Sequence, residues 1–296
     1  MFRRKYWIPA FLAIPTILYI VLAPACMTFR STDSEMIEQF RAKGIELQTG
    51  YRTISGRKLH FARTGSDELP TLLFVHGTPG SWNAFAGYLR DSVLLRRYRM
   101  IAVDRPGFGF SDFGEALPLK EQSKLIGGLI GEWKNGQPFF LVGHSMGGPV
   151  ILQLAIDFPS SIDGLIVLAG SIDPSLEKPE KWRPLIINTP LRLLVPGALR
   201  PSNEELWYLK KDLVDLKGVL DKVLCPVYFI HGEKDSWVPP GNVAYGQSML
   251  VNAAAVGVQY LPGANHFIPW NKYNEIRDFL IAFRQSNAIE RTKTSE

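Results

Sequence analysis

Cysteine is scarce in this chain of 296 residues: there are two, Cys26 and Cys225, far apart in sequence. They form no Cys-x-x-Cys pair, which excludes a thiolate metal site or a dithiol redox centre. Cys225 stands before Pro226 at the head of an apolar run and reads as a small buried residue. Cys26 lies beside the N-terminal apolar segment, so a disulfide between the two is not expected. A strong charge of one sign is also missing. The 33 Lys and Arg against 28 Asp and Glu leave a net charge of +5. No basic stripe interleaved with aromatics occurs, so nucleic acid is not an expected partner. Internal repeats and low-complexity segments are absent. What is present suits a packed globular chain: 46% hydrophobic and 21% charged residues, enough to bury a substantial core.

One long apolar run extends from Tyr6 to Met27, behind the cluster Arg3-Arg4-Lys5. Its roughly 20 residues match the hydrocarbon thickness of a bilayer, so it reads as a transmembrane helix. Pro9, Pro15 and Pro24 interrupt it, which membrane helices tolerate. Tyr6 and Trp7 suit a membrane interface, and the positive flank orients the rest of the chain outside the cytoplasm. Residues 1–30 therefore read as a membrane anchor or signal segment. Three forms fit: an uncleaved anchor, a secretory signal cleaved at Ala23-Pro24-Ala25, or a lipoprotein signal ending at Cys26. The expected location is a membrane-anchored protein with its main domain extracytoplasmic, or a secreted one. Residues 31–45 read as a polar juxtamembrane helix.

From Glu46 onward, short apolar strands alternate with helical patterns. Residues 46–54 and 59–63 form a hairpin around Ser55-Gly56. Strands follow at 71–75, 100–103, 138–142, 165–169, 227–230 and 256–260. Helical spacing marks 82–98, 120–133, 148–158 and 274–284. This pattern implies an α/β protein with a mostly parallel sheet covered on both faces. Ligands of such sheets bind beyond the carboxyl ends of the strands. His76, Asp104, Ser145, Asp173, Asp235 and His266 all follow strands. Residues 171–223 break the alternation with prolines from Pro174 to Pro201 and read as a small inserted cap. Residues 287–296 form a polar tail.

Gly143-His144-Ser145-Met146-Gly147 lies between a strand and a helical stretch. A serine at such a turn is lifted off the end of the sheet, where it can act as a nucleophile. The flanking glycines have a steric reason, because a strained turn brings its neighbours too close for a Cβ. Serine needs a base, and histidine is the natural one. His60, His76, His144 and His231 read as structural, whereas His266 follows a late strand. The base in turn needs an acid to set its tautomer. Asp235 is the first candidate and Asp173 its rival. Oxyanion donors are expected from the backbone N–H of Met146, after the nucleophile, and of Thr78, because Pro79 has none.

Several segments then carry a resemblance. They are His76-Gly77-Thr78-Pro79-Gly80-Ser81, Asp104-Arg105-Pro106-Gly107-Phe108-Gly109-Phe110-Ser111, the serine turn, His231-Gly232-Glu233-Lys234-Asp235 and Gly263-Ala264-Asn265-His266-Phe267. Together they resemble the α/β-hydrolase fold superfamily, in its serine-nucleophile esterase and lipase-like branch, over residues 46–286. The resemblance implies an eight-stranded, mostly parallel sheet with helices on both faces. It implies the triad Ser145, Asp235 and His266, and a loop-supporting role for Asp104. Asn265 departs from the glycine many relatives carry there. Haloalkane dehalogenases and epoxide hydrolases of this fold use aspartate at the turn, so serine disfavours them. The His76–Gly80 loop resembles the His-Gly-Gly-Pro-Gly of proline-releasing aminopeptidases, but its third residue differs.

The expected function is hydrolysis of a carboxylic ester or related acyl bond in a small-molecule substrate, through an acyl-enzyme. No metal or organic cofactor is expected, and the oligomeric state stays open. The alternatives are a proline-iminopeptidase-like or carbon–carbon bond hydrolase, and a non-catalytic binding protein on the same fold. The apolar stretches Leu185-Ile186-Ile187 and Leu191–Val195 suggest packing of the cap onto the core, or an acyl pocket or membrane-facing lid.

Overall fold

The computed structural model describes the backbone of residues 7–294 and the side chains of residues 15–283. Eight strands form one sheet: β1 (Gln48–Ile54), β2 (Arg57–Thr64), β3 (Thr71–Val75), β4 (Arg99–Val103), β5 (Phe139–His144), β6 (Gly164–Leu168), β7 (Val227–Gly232) and β8 (Val256–Leu261). Their order is β1-β2-β4-β3-β5-β6-β7-β8. The pairs β1–β2 and β2–β4 are antiparallel, and all other pairs are parallel. The central strands β3 to β6 are buried along their whole length, as their unbroken apolar runs require. Ser55 and Gly56 both take positive φ, the backbone a two-residue hairpin turn demands between β1 and β2.

Eleven helices are described: α1 (Trp7–Leu22), α2 (Asp33–Arg41), α3 (Ala86–Leu89), α4 (Ser92–Leu95), α5 (Leu119–Trp133), α6 (Gly147–Asp157), α7 (Arg183–Ile187), α8 (Leu199–Lys217), α9 (Gly241–Met249), α10 (Ile268–Asn271) and α11 (Tyr273–Thr294). One face of the sheet packs on Leu125, Ile126 and Leu129 of α5 and on Val150 and Leu154 of α6. The other packs on Tyr88 of α3 and on Ile276 and Leu280 of α11. Helical spacing predicts one helix over 82–98. The structure has a 3₁₀ turn at Trp82–Phe85, then α3 and α4. Asp91 divides them, because its carboxylate accepts from the Val93 and Leu94 N–H groups and starts α4 afresh. The periodicity reading missed α9 and α10.

Among the described residues the N-terminal apolar run is not one continuous helix. The helix α1 has 16 residues and ends at Leu22, followed by a 3₁₀ turn at Ala23–Ala25. At 1.5 Å per residue this is about 24 Å, short of the ~30 Å hydrocarbon core. Among the described residues no helix is long and apolar enough to cross a membrane. The break falls at Pro24, which has no N–H to carry the helical ladder on. Ala23 is buried and its carbonyl accepts from the Gly197 N–H, while Met27 O accepts from Ala198 N–H. The chain beyond α1 is thus strapped to the segment between β6 and β7. The following helix α2 is not merely polar. Thr32 and Glu35 form a reciprocal capping box at its start, and Met36 and Phe40 are buried in the core. Arg3-Arg4-Lys5 and Tyr6 lie outside the described residues. Cys26 and Cys225 are both free.

Candidate active site

The serine turn closes on itself as its glycines require. Ser145 has φ 54°, a left-handed conformation strained for a residue with a Cβ. A Cβ on Gly143 would come within 2.3 Å of the Gly147 carbonyl oxygen. One on Gly147 would come within 2.2 Å of the Val75 oxygen. β5 therefore runs directly into α6 with Ser145 at the apex, above the carboxyl end of the sheet.

His266 lies between β8 and α10, and Asp235 follows β7. The Nδ1 of His266 is 2.7 Å from Asp235 Oδ2. The other carboxylate oxygen of Asp235 accepts from the N–H groups of Trp237 (2.9 Å) and Val238 (2.8 Å). Burial works against the charge of Asp235, but the bonds from His266 and the Val238 N–H outweigh it. They hold the carboxyl below its ordinary value, so it stays ionised. An ionised Asp235 accepts from Nδ1–H and leaves Nε2 of His266 as the basic atom. Asp173 is placed elsewhere: it accepts from Ser175 N–H in its own turn, and its N–H donates to Asn242.

The other histidines take structural positions. His60 is buried between Asp104, at 2.9 Å, and Asp33, at 3.1 Å. Asp104 also accepts from the N–H groups of Trp82 and Phe110, so it ties three loops together. His76 accepts at Nε2 from the Arg105 N–H and places Nδ1 at 2.7 Å from the Gly77 carbonyl. Burial and the nearby Arg105 push its pKa well below the ordinary value, so it is a neutral Nδ1–H tautomer. His231 bonds the Val238 carbonyl. His144, which the sequence places with the structural histidines, lies against the site instead. The structure brings its ring to 4.9 Å from that of His266, and its Nε2 bonds the His266 carbonyl. Burial and the neighbouring His266 lower its pKa to about 3. Trp237 adds a stacked contact to the His266 ring at 5.6 Å. Adjacency to the serine is the only sequence signal that pointed to His144, and none pointed to Trp237.

The loop after β3 passes against the serine. A Cβ on Gly77 would sit 3.0 Å from Ser145 Cβ. No backbone partner for the N–H of Thr78 or Met146 is found among the described residues. Two cavities meet here, and Ser145, Thr78 and His266 line both. One, of about 500 Å³, runs beneath the β6–β7 insertion past Ile186, Val195, Leu199, Leu206 and Leu209. The other, of about 720 Å³, is walled by Phe29, Asn83, Phe267 and Trp270. No cluster of three or more metal-ligating side chains occurs among the described residues.

The family model for the alpha/beta hydrolase fold matches residues 70–194. Epoxide hydrolase 1 of Caenorhabditis elegans is 32% identical over 111 residues, 37% of this chain and 27% of that protein. An sn-1-specific diacylglycerol lipase of Mus musculus is 24% identical over 260 residues, covering 74% of this chain and 82% of that protein. Among solved structures, a bacterial membrane phospholipase A is similar with a TM-score of 0.60 at 16% identity, over 95% of this chain and 99% of that one. Of three curated relatives 30% to 32% identical to it, the chain spans 27% to 44% of the length. Family match and sheet topology agree on the α/β-hydrolase fold.

Proposed function

We propose that the protein is a serine hydrolase that cleaves a carboxylic ester through an acyl-enzyme. One observation carries the reading. Ser145, on its strained turn, shares both cavities with His266, whose Nδ1 is held by the ionised Asp235. Ser145 Oγ attacks the ester carbonyl while His266 Nε2 takes its proton. The oxyanion is held by the N–H groups of Met146 and Thr78. The carbon–oxygen bond to the alcohol breaks, and His266 returns the proton to that alcohol. Water, deprotonated by His266, then releases the acid and restores Ser145.

The named relatives include epoxide hydrolases, and chemistry separates this chain from them. An aspartate that opens an epoxide forms an ester, which water can hydrolyse at its carbonyl. A serine that did so would form an ether with no carbonyl to attack, and turnover would stop. Serine at position 145 therefore favours acyl transfer.

The substrate class follows from the cavity. The lobe beneath the insertion is lined by Ile186, Val195, Leu199, Leu206 and Leu209, with Glu177, Arg183 and Asn203 also on its wall, and the aliphatic part supports a lipid ester with its acyl chain there. The names of the mouse lipase and the membrane phospholipase agree with that choice. Ile17, Leu18, Val21 and Leu22 on α1 are exposed, and we place this helix on a membrane surface. Labelling by a fluorophosphonate and hydrolysis of p-nitrophenyl acyl esters test the reading. Both should vanish in Ser145→Ala with the fold intact, and turnover that survives the substitution would refute it.

A further inference from the structure

Arg105 is fully buried, one residue after Asp104 at the end of β4. Its Nε donates to the His76 carbonyl at 2.8 Å, and its Nη2 donates to the Gly77 carbonyl at 3.0 Å. The Gly77 oxygen and the Thr78 N–H belong to one planar peptide, so fixing the oxygen fixes the direction of the N–H. The His76 Nδ1–H donates to the same oxygen. Two donors on that carbonyl also polarise the peptide and strengthen its N–H as a donor.

The guanidinium needs a counter-charge at this depth, and the insertion supplies it. Glu205 of α8, itself buried, pairs with Arg105 through both carboxylate oxygens, one of them on Nη2 at 3.0 Å. Gln122 of α5 bridges the two, accepting from Arg105 Nη1 and donating to Glu205, each at 3.0 Å. The geometry points to Arg105 as the positioning residue of the oxyanion loop, with Glu205 as the counter-ion that seats it. The docking of the β6–β7 insertion and the alignment of the Thr78 N–H are then one unit, held by one buried fork. This inference rests on the serine hydrolase reading, because only that reading gives the Thr78 N–H an oxyanion to hold.

Removing one charge alone would leave the other buried and unpaired, so both are removed together in Arg105→Met/Glu205→Leu. A short-chain boronic acid probes the oxyanion site directly, since its tetrahedral adduct with Ser145 presents an oxygen anion there. The double variant should melt near the parent. Its kcat and its boronate affinity should each fall at least about tenfold, less than the ~10²–10³ that removing an oxyanion donor outright costs, with KM within about twofold. Arg105→Lys gives a second route: one ammonium can pair with Glu205 but cannot hold two carbonyls and a carboxylate fork at once. It should keep its melting temperature yet lose boronate affinity, and it decides the matter if the double variant does not fold. A folded variant of either kind with parental kcat and boronate affinity overturns the inference. Failure of the hydrolase reading looks different, because then the boronate would bind Ser145→Ala as well as the parent.

Discussion

The Nε2 of His144 lies 3.1 Å from the backbone carbonyl of His266. A carbonyl only accepts, so Nε2 carries the proton. The residue beside the nucleophile in sequence thus holds the backbone of the proposed base, which is 122 residues away. Replacing His144 by Phe keeps the ring and removes the donor. A hydrogen bond of about 1 kcal/mol net implies about a fivefold loss of kcat from a less well-placed His266. Steady-state kinetics check this, and His144→Gln, which can donate again, should recover part of the loss.

Asp235 and Asp173 should separate cleanly. Asp235→Asn keeps the shape but cannot stabilise an imidazolium, so kcat should fall by about 10³-fold or more at neutral pH. Asp173→Asn keeps the acceptor for Ser175 N–H and should stay within about twofold of the parent. Equal losses in the two variants would remove Asp235 from the proposed mechanism.

Gly147→Ala should fold poorly. Its Cβ would meet the Val75 carbonyl oxygen at 2.2 Å, and Val75 is fixed in the sheet between β4 and β5. A loss of about 3 kcal/mol is expected in urea unfolding.

Leu206 lines the lobe beneath the insertion. Leu206→Trp should fill that lobe and cut kcat/KM for long acyl chains by about tenfold, with acetyl esters little changed. A panel of p-nitrophenyl esters of rising chain length reads this out. A uniform loss across the panel would place the acyl chain elsewhere.

Acid should destabilise the fold through three buried histidines. Burial depresses the pKa of His76, His144 and His231 below the ordinary 6.5. Each adds stability that is present above about 6.5 and lost as pH falls below it. His60 runs the other way. Burial opposes its charge, but Asp104 and Asp33 outweigh burial and raise its pKa. Its contribution is full below about 6.5 and lost as pH rises through the folded value. Melting temperatures at pH 7.5 and 5.5 should therefore show a net fall in acid. The fall should steepen in His60→Gln and flatten in His144→Phe.

The central strands were legible because a strand buried on both faces must be apolar throughout, as Leu72–Val75 and Phe139–Val142 are. The serine turn was legible because its glycines answer a steric demand within five residues. Local periodicity misread 82–98, where Asp91 restarts the helix through its own side chain. It also overran at Pro24, where a composition that suits a bilayer says nothing of the hydrogen bonds that strap Ala23 and Met27 to the β6–β7 insertion.

By itself, then, the sequence determined the α/β class, the strand order in the chain and the place of Ser145, because each is written in short-range pattern. The tertiary structure alone decided which carboxylate meets His266, since Asp173 and Asp235 both follow strands and only three-dimensional packing brings one to 2.7 Å. It alone placed His144 under the His266 backbone and joined Arg105 to Glu205 of the insertion. Such pairings depend on the relative placement of separate elements around the sheet. No local pattern of residues encodes a distance across it.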